Sequence, residues 1–497
     1  MKKIASLLVA AGLVLGSAMG ASAIDFKAGG SFEMGYYWAD HSQMNNMDQD
    51  KFGAATRIQL RMDAIANENL RGTYQMRIGT TSWGVNNNNG TGPNSGYGIG
   101  TQGVNVRTLE AYLSFRWPDT NLKFRMGLFP MRAPQAVKGQ YTGSMIMDER
   151  AAGLEAVYEF NENVSVVAHW SRLANLGDGV IESADRRHSK LDVVMLAVPV
   201  KTSIINVTPW GMYGQAGQNA TYSTGSDSNP YHASSALYSP TGVDTQTHVV
   251  GKDGKLWWGG LALEVTALEN WILKADVIYG SYRADFTSGS TGPNQRAQNS
   301  LAGSTNDPKR EGWLFDAQVG YKLEYFTPTL TAFYSTGDDY SDWKRNESGR
   351  IPVLSNLGGW TSLGGMNSIA ATSDGIDRKL MCSQGYTGMW GVMAALEDIK
   401  FIDKLTSTFR VMYMQGTNDD DILKHNRGGK TSPWYLGESD SAWEFNFNHE
   451  YKLYENLGFW VELGYIILDR DSANEPTTAR FQSKNASSIF TGFYYKF

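Results

Sequence analysis

Period-two alternation runs along most of this chain and limits what it can become. Ile58, Leu60, Met62 and Ala64 alternate with Arg57, Gln59, Arg61 and Asp63. After Asn67-Glu68-Asn69 the pattern resumes, with Tyr74, Met76 and Ile78 set against Arg71, Thr73, Gln75 and Arg77. Successive side chains of a strand point to opposite faces, so each stretch reads as a strand with one apolar and one polar face. The same reading holds for 109–117, 313–322 and 443–452. The connections alternate too. Short turns fall near 67–69, 118–121, 161–163, 200–203, 267–270, 323–326, 398–404 and 454–457. Long polar stretches fall near 40–53, 80–104, 130–150, 175–189, 216–255, 286–311, 337–385, 417–441 and 470–484. Compact soluble domains rarely carry so many long connections. A barrel with short turns at one rim and long loops at the other does so routinely. The count is 18 strands in nine up-and-down pairs. The segments 204–215 and 327–336 are ambiguous, which leaves 16 as the alternative. No second composition regime or interdomain linker appears, so 24–497 reads as one barrel domain.

Composition decides which solvent the apolar faces meet. Hydrophobic residues make up 41% of the chain and charged residues 19%. No apolar run of about 20 residues, the length a transmembrane helix needs, follows residue 23. Residues 1–23 read as a signal peptide: Lys2 and Lys3, an apolar stretch from Ile4 to Gly16, and Ala21-Ser22-Ala23 as the cleavage pattern. The lone Cys382 allows no intrachain disulfide and no cysteine metal site. The net charge of −6, without a basic stripe, argues against nucleic acid as a partner. The polar faces carry charge in nearly every strand, while the apolar faces begin or end in Trp117, Trp271, Trp313, Tyr321, Trp443 and Tyr451. Aromatic residues at strand ends suit the two interfacial girdles of a membrane barrel, and Trp257-Trp258 are read the same way, with a sugar-stacking site as the alternative. Closure satisfies every backbone group in lipid, which an open sheet cannot do. The fold expected is an all-β, transmembrane antiparallel up-and-down β-barrel. A barrel of about 16–18 strands encloses an aqueous lumen.

The chain reaches Phe497 through a segment with Phe493 and Tyr495 on the same face. This resembles the carboxy-terminal assembly signal of outer-membrane barrels. With the alternation and the loop asymmetry, the chain resembles the trimeric general porins of bacterial outer membranes. The resemblance implies a homotrimer in the outer membrane, in contact with its lipids and lipopolysaccharide. It implies passive diffusion of small hydrophilic solutes and ions through a water-filled pore. It also implies a third external loop folded inward as the constriction. Here that loop follows the fifth strand, 122–129, and spans 130–150. Val137, Met145, Ile146 and Met147 make it more apolar than the other long loops, as a loop tucked against an inner wall should be.

Parity places Arg57, Arg61, Arg71, Arg77, Lys123 and Arg125 on the polar, lumen-facing side of neighbouring early strands. Arg132 and Lys138 in the loop extend that basic set. Glu110, Glu155 and Glu159 are inward carboxylates that counter it, and Asp148 and Glu149 are candidates for the acidic side of the constriction. Charges of one sign around a pore select ions by sign, and the balance leans towards anions. The alternative function is a substrate-specific channel for anions, carboxylates or sugars. Inward aromatics such as Tyr112, Phe129 and Trp460 are few, and the basic cluster reads as compact. No Gly-x-Ser-x-Gly element or nucleophile–base pair points to an enzyme. No cofactor is expected. Hard cations take carboxylate oxygens, so Asp419, Asp420 and Asp421 are candidates for Ca²⁺ at an external loop, alongside Asp338, Asp339 and Asp342.

Overall fold

The computed structural model describes residues 24–41, 44–46, 51–82, 106–138, 143–175, 190–216, 221–223, 247–249, 254–283, 309–343, 345, 347–354, 387–425 and 435–497. The expected leader, 1–23, lies outside them. The alternating stretches form eighteen barrel strands. They are β1 (Asp25–Asp40), β2 (Lys51–Asn67), β3 (Leu70–Ser82), β4 (Val106–Arg116), β5 (Leu122–Arg132) and β6 (Asp148–Glu159). Next come β7 (Ser165–Asn175), β8 (Lys190–Ala197, continued at Val200–Lys201), β9 (Ile205–Ala216), β10 (Gly254–Val265), β11 (Trp271–Arg283) and β12 (Lys309–Tyr321). The series ends with β13 (Thr327–Ser335), β14 (Met389–Ile399), β15 (Leu405–Gly416), β16 (Ser441–Lys452), β17 (Leu457–Asp469) and β18 (Ala486–Lys496). Every neighbouring barrel pair is antiparallel, and β1 pairs with both β2 and β18, so the sheet is a closed ring. Both ambiguous segments are strands, and the count is 18.

Local chemistry sets the short turns. The Asn67 Oδ1 accepts from the Asn69 backbone N–H at 2.8 Å, and the Asn161 Oδ1 accepts from Asn163 and Val164, both at 2.9 Å. The Thr202 hydroxyl accepts from Ile205 at 2.9 Å. Such side-chain acceptors replace a backbone turn bond and reverse the chain in few residues. Trp117, Trp271, Trp313, Trp443 and Tyr451 project outward and are exposed, as girdle residues should be. So do Phe493 and Tyr495, and Phe497 is exposed beside them. The Phe497 backbone exchanges hydrogen bonds with Gly30 (2.9 and 3.1 Å), and its ring lies 5.6 Å from that of Phe32.

One glycine shapes the lumen. Gly127 in β5 has φ +126°, a conformation open to glycine and strained for other residues. A Cβ there would sit 2.2 Å from the Ala111 carbonyl oxygen. The β4–β5 ladder runs only as far as Ala111↔Leu128, whereas β5 stays paired with β6 up to Arg132↔Asp148. The β5–β6 hairpin therefore separates from β4 just where the chain turns inward. Gly127→Val is expected to cost about 1–3 kcal/mol in backbone strain and more through the clash. Lower yield of folded barrel, read by heat-dependent gel mobility, checks it, and wild-type yield would count against it.

Candidate functional site: the lumen and its constricting loop

The lumen is built from the inward residues of each strand, and its two sides differ. On β1–β7 the inner face is charged. Glu33 receives the Arg57 guanidinium across the β1–β2 ladder, with Nε at 2.9 Å. Arg61 meets Asp63 at 3.1 Å, Glu110 at 3.5 Å and the Tyr112 hydroxyl at 3.3 Å. Lys123 pairs with Glu159 at 2.7 Å, and Arg125 with Glu155 at 2.9 Å. The Arg125 guanidinium also sits 4.3 Å from the centre of the Phe129 ring, a cation–π contact. His169 packs edge-on against Phe129, 3.6 Å from Glu155.

The predicted basic residues therefore share one wall, but they are not compact. Arg116 lies opposite Lys123 near the short-turn rim. Arg71 and Arg125 both lie opposite Ser114, one level up. Arg61 and Glu110 flank Gln75 higher still, and Arg57 opposes Gly79 above that. Register spreads the bases along the wall, because neighbouring antiparallel strands offset residues that look clustered in sequence. Arg77 is also on this wall, opposite Gln59 and Arg107. A cavity of about 610 Å³ opens on this face at the short-turn end, lined by Arg71, Arg116, Lys123, Arg125 and Glu155.

The opposite side, β8–β15 with β17 and β18, corrects a second expectation. Its inner face from mid-height to the long-loop rim is apolar: Val193, Met195, Trp210, Met212, Leu256, Trp258, Ile278, Leu314, Phe333, Met393, Met412 and Phe490 are all buried, and Trp460 is buried lower, nearer the short-turn rim. Inward aromatics are thus more numerous than the sequence suggests. Trp258 points inward, while only its neighbour Trp257 is exposed on the outer wall. Alternation predicts two faces, but it does not say which apolar groups a distant loop will cover.

Residues 133–138 and 143–147 are that cover, and they lie inside the barrel as expected; residues 139–142 of the loop lie outside the described residues. Val137, Met145, Ile146 and Met147 are fully buried in the same cluster as the apolar wall. The loop reaches the far side of the lumen, where the Ala136 and Val137 backbone N–H groups donate to the Asp276 carboxylate at 2.7–2.9 Å. Gln135 donates to Asp316 at 2.7 Å and accepts from the Met145 N–H at 2.7 Å. Asp148 accepts from Arg132 and from the Gly143 N–H, both at 2.6 Å, and so staples the loop's base. Glu149 is half-buried opposite Met131, Lys138 is exposed, and Arg150 reaches Glu110 at 3.7 Å.

A second inward segment has no sequence signal. Residues 350–354 dip from the long connection after β13 into the mouth. Trp258 donates its indole N–H to the Pro352 carbonyl at 2.8 Å, and the Leu354 N–H donates to the Ile146 carbonyl at 2.8 Å. The buried Arg310 holds the Arg350 and Ile351 carbonyls, both at 3.1 Å. Asp338 is not a solvated loop acid: it is buried against Arg350 at 3.0 Å and Tyr435 at 2.9 Å. Burial, and then Asp338, push the Tyr435 phenol well above its ordinary range.

The acidic run 419–421 serves the loop fold. Asp419 accepts from the Asp421 N–H at 2.9 Å, Asp420 accepts from Asn474 at 2.8 Å, and Asp421 pairs with Lys424 at 2.9 Å. Burial alone would raise the Asp420 carboxyl, but the Ser439 and Asn474 donors hold it below its ordinary value. Among the described residues no three His, Cys, Asp or Glu side chains form a metal-binding group.

No protein-family model matches the chain, and no curated protein matches it. Solved structures do. The chain is similar to Acinetobacter baumannii OccAB1, with 14% identity over 97% of this chain and 99% of that one and a TM-score of 0.50. For Pseudomonas aeruginosa OpdL the values are 11%, 95%, 99% and 0.51, and for Acinetobacter baumannii OccAB3 they are 11%, 95%, 100% and 0.50. At these identities the likeness is one of fold: this chain's closed antiparallel barrel of 18 strands shares the architecture of these structures.

Proposed function

We propose that the chain is an outer-membrane channel that passes small hydrophilic solutes by diffusion, with a preference for anions. The observation that carries this reading is loop 133–147, held across the lumen against the far wall and facing the column of bases on β2–β5. A solute must pass between them. Charge fixed beside a narrow, low-dielectric passage sorts ions by sign. The second inward segment, 350–354, narrows the mouth further. That favours a substrate-selective channel over a general one, in line with the Occ architecture. Such a channel needs no catalytic group and no cofactor. Homotrimer assembly and lipopolysaccharide contact, which the porin resemblance implies, belong to the same proposal, and the mass of the detergent-extracted protein tests the first.

Single-channel recording in a planar bilayer under a KCl gradient tests the reading. Discrete ohmic steps with a reversal potential on the anion side are expected. In Arg61→Gln/Arg125→Gln the anion-to-cation permeability ratio should fall about twofold or more, because both bases face the passage. Absence of steps from folded protein would overturn the channel reading. An unshifted ratio would remove these two arginines from the selectivity filter.

A further inference from the structure

Two carboxyl groups meet where the constricting loop touches the wall. Register sets Asp276 of β11 directly opposite Asp316 of β12 on the inner face, and both are buried. Like charges directly opposed across an antiparallel pair are destabilising, and a buried charge needs a partner. The charged and polar groups nearby are engaged elsewhere. Lys274, two residues down β11, lies 3.6 Å from Glu264 of β10, and Gln318 of β12 donates to Thr331 of β13 at 3.2 Å. Above the pair Ile278 and Leu314 are apolar, and the loop contributes only Gln135, Ala136 and Val137. Among the described residues no lysine, arginine or histidine forms an ion pair with either carboxyl group.

The hydrogen bonds complete the account. The Asp276 oxygens accept three contacts from the Ala136 and Val137 N–H groups. The Asp316 Oδ2 accepts from Gln135, while its Oδ1 is buried and has no N–H donor. Register holds the two carboxyl groups face to face in an apolar setting, and two carboxyl groups so placed can bond to each other only if they share a proton. We propose that Asp276 and Asp316 hold one proton between them, carried on the Asp316 Oδ1, and that this singly charged pair positions the constricting loop and makes the conductance pH-dependent. Every atom is then satisfied. Asp316 donates its O–H to Asp276, and Asp276 is the anion that receives the loop's backbone. When hydroxide removes the proton, two adjacent anions remain in a largely apolar setting, with no cation in ion-pair contact and Lys274 shared with Glu264. The pair must then separate or admit water, and the loop loses its seat.

The electrical test rests on the channel reading above. Wild-type conductance is expected to rise about twofold, reversibly, as the pH is taken through the alkaline range, since a released loop widens the passage. In Asp316→Asn the amide N–H takes over the donor role, so conductance should start near the wild-type value and lose the alkaline rise. In Asp276→Asn the anionic seat is gone, and conductance should be raised already at neutral pH. A wild-type profile without the rise, or an Asp316→Asn profile identical to it, overturns the proposal. Infrared spectra of the folded protein test the proton without any current. The carbonyl band of a protonated carboxylic acid should be present at neutral pH and lost in Asp316→Asn. If that band is absent from wild type, the proposal fails even when the channel conducts; if it is present and no variant conducts, the channel reading fails instead.

Discussion

Asp338→Asn is expected to destabilise the long-loop mouth by about 3–5 kcal/mol, the range for removing one partner of a buried ion pair. The Asp338 carboxylate receives the Arg350 Nε at 3.0 Å and the Tyr435 hydroxyl at 2.9 Å, and the Arg350 guanidinium lies 4.9 Å from the Tyr435 ring centre. Arg310 is buried beside them and holds the Arg350 and Ile351 carbonyls. One carboxylate therefore offsets two guanidiniums. The asparagine is nearly the same size but removes this anion from beside both cations, in a setting that screens them poorly. The temperature at which the folded barrel converts to the unfolded band on a detergent gel should fall, and the open-channel current should become noisier as 350–354 loosens. An unchanged conversion temperature together with a quiet current would show that the cluster is more hydrated than its burial implies.

Replacing residues 133–147 by a short Gly-Ser turn is expected to raise conductance on the order of threefold, since an 18-stranded ring without an inner loop encloses an open channel. The hairpin survives the change because β5 and β6 remain paired up to Arg132↔Asp148. The anion preference should weaken at the same time, because ions in a wide passage are screened from the β2–β5 bases by water and salt. Wild-type conductance in the shortened protein would place the narrowest point elsewhere, with 350–354 the first position to examine.

Much of this architecture is legible in the sequence. Alternation, turn chemistry and loop length are local properties, and they locate the strands, the short turns and the parity of Arg57, Arg61, Arg71, Arg77, Lys123 and Arg125. Loop 130–150 is legible for a related reason: Val137, Met145, Ile146 and Met147 in a polar connection need a surface to bury against. What is not legible depends on register between distant strands. Asp276 and Asp316 are ordinary inward acids until pairing sets them face to face. The spread of the bases along the wall follows from strand offsets that no spacing encodes. Trp257 and Trp258 are adjacent on one strand, so alternation lets only one of them face the lipid; what the sequence does not show is which one does, or that the Pro352 carbonyl accepts the Trp258 indole N–H. Residues 350–354 carry three apolar side chains within a long polar stretch, too few for a periodic signal.

The closure of the ring through β1 and β18 has a kinetic consequence. Ser31 pairs with Lys496 and Asp40 with Ser487, so the contacts that seal the cylinder join opposite ends of the chain. Loop-closure entropy must be overcome before such contacts return any stabilisation, and this slows folding. Until that seam forms, every partly zipped intermediate carries two unpaired strand edges, each a template for another chain. Speed of sealing relative to encounter with a second unfinished copy, more than the depth of the finished energy well, then governs how much protein matures. Substitutions along this seam should therefore act on yield at high expression before they act on the stability of barrels that have closed.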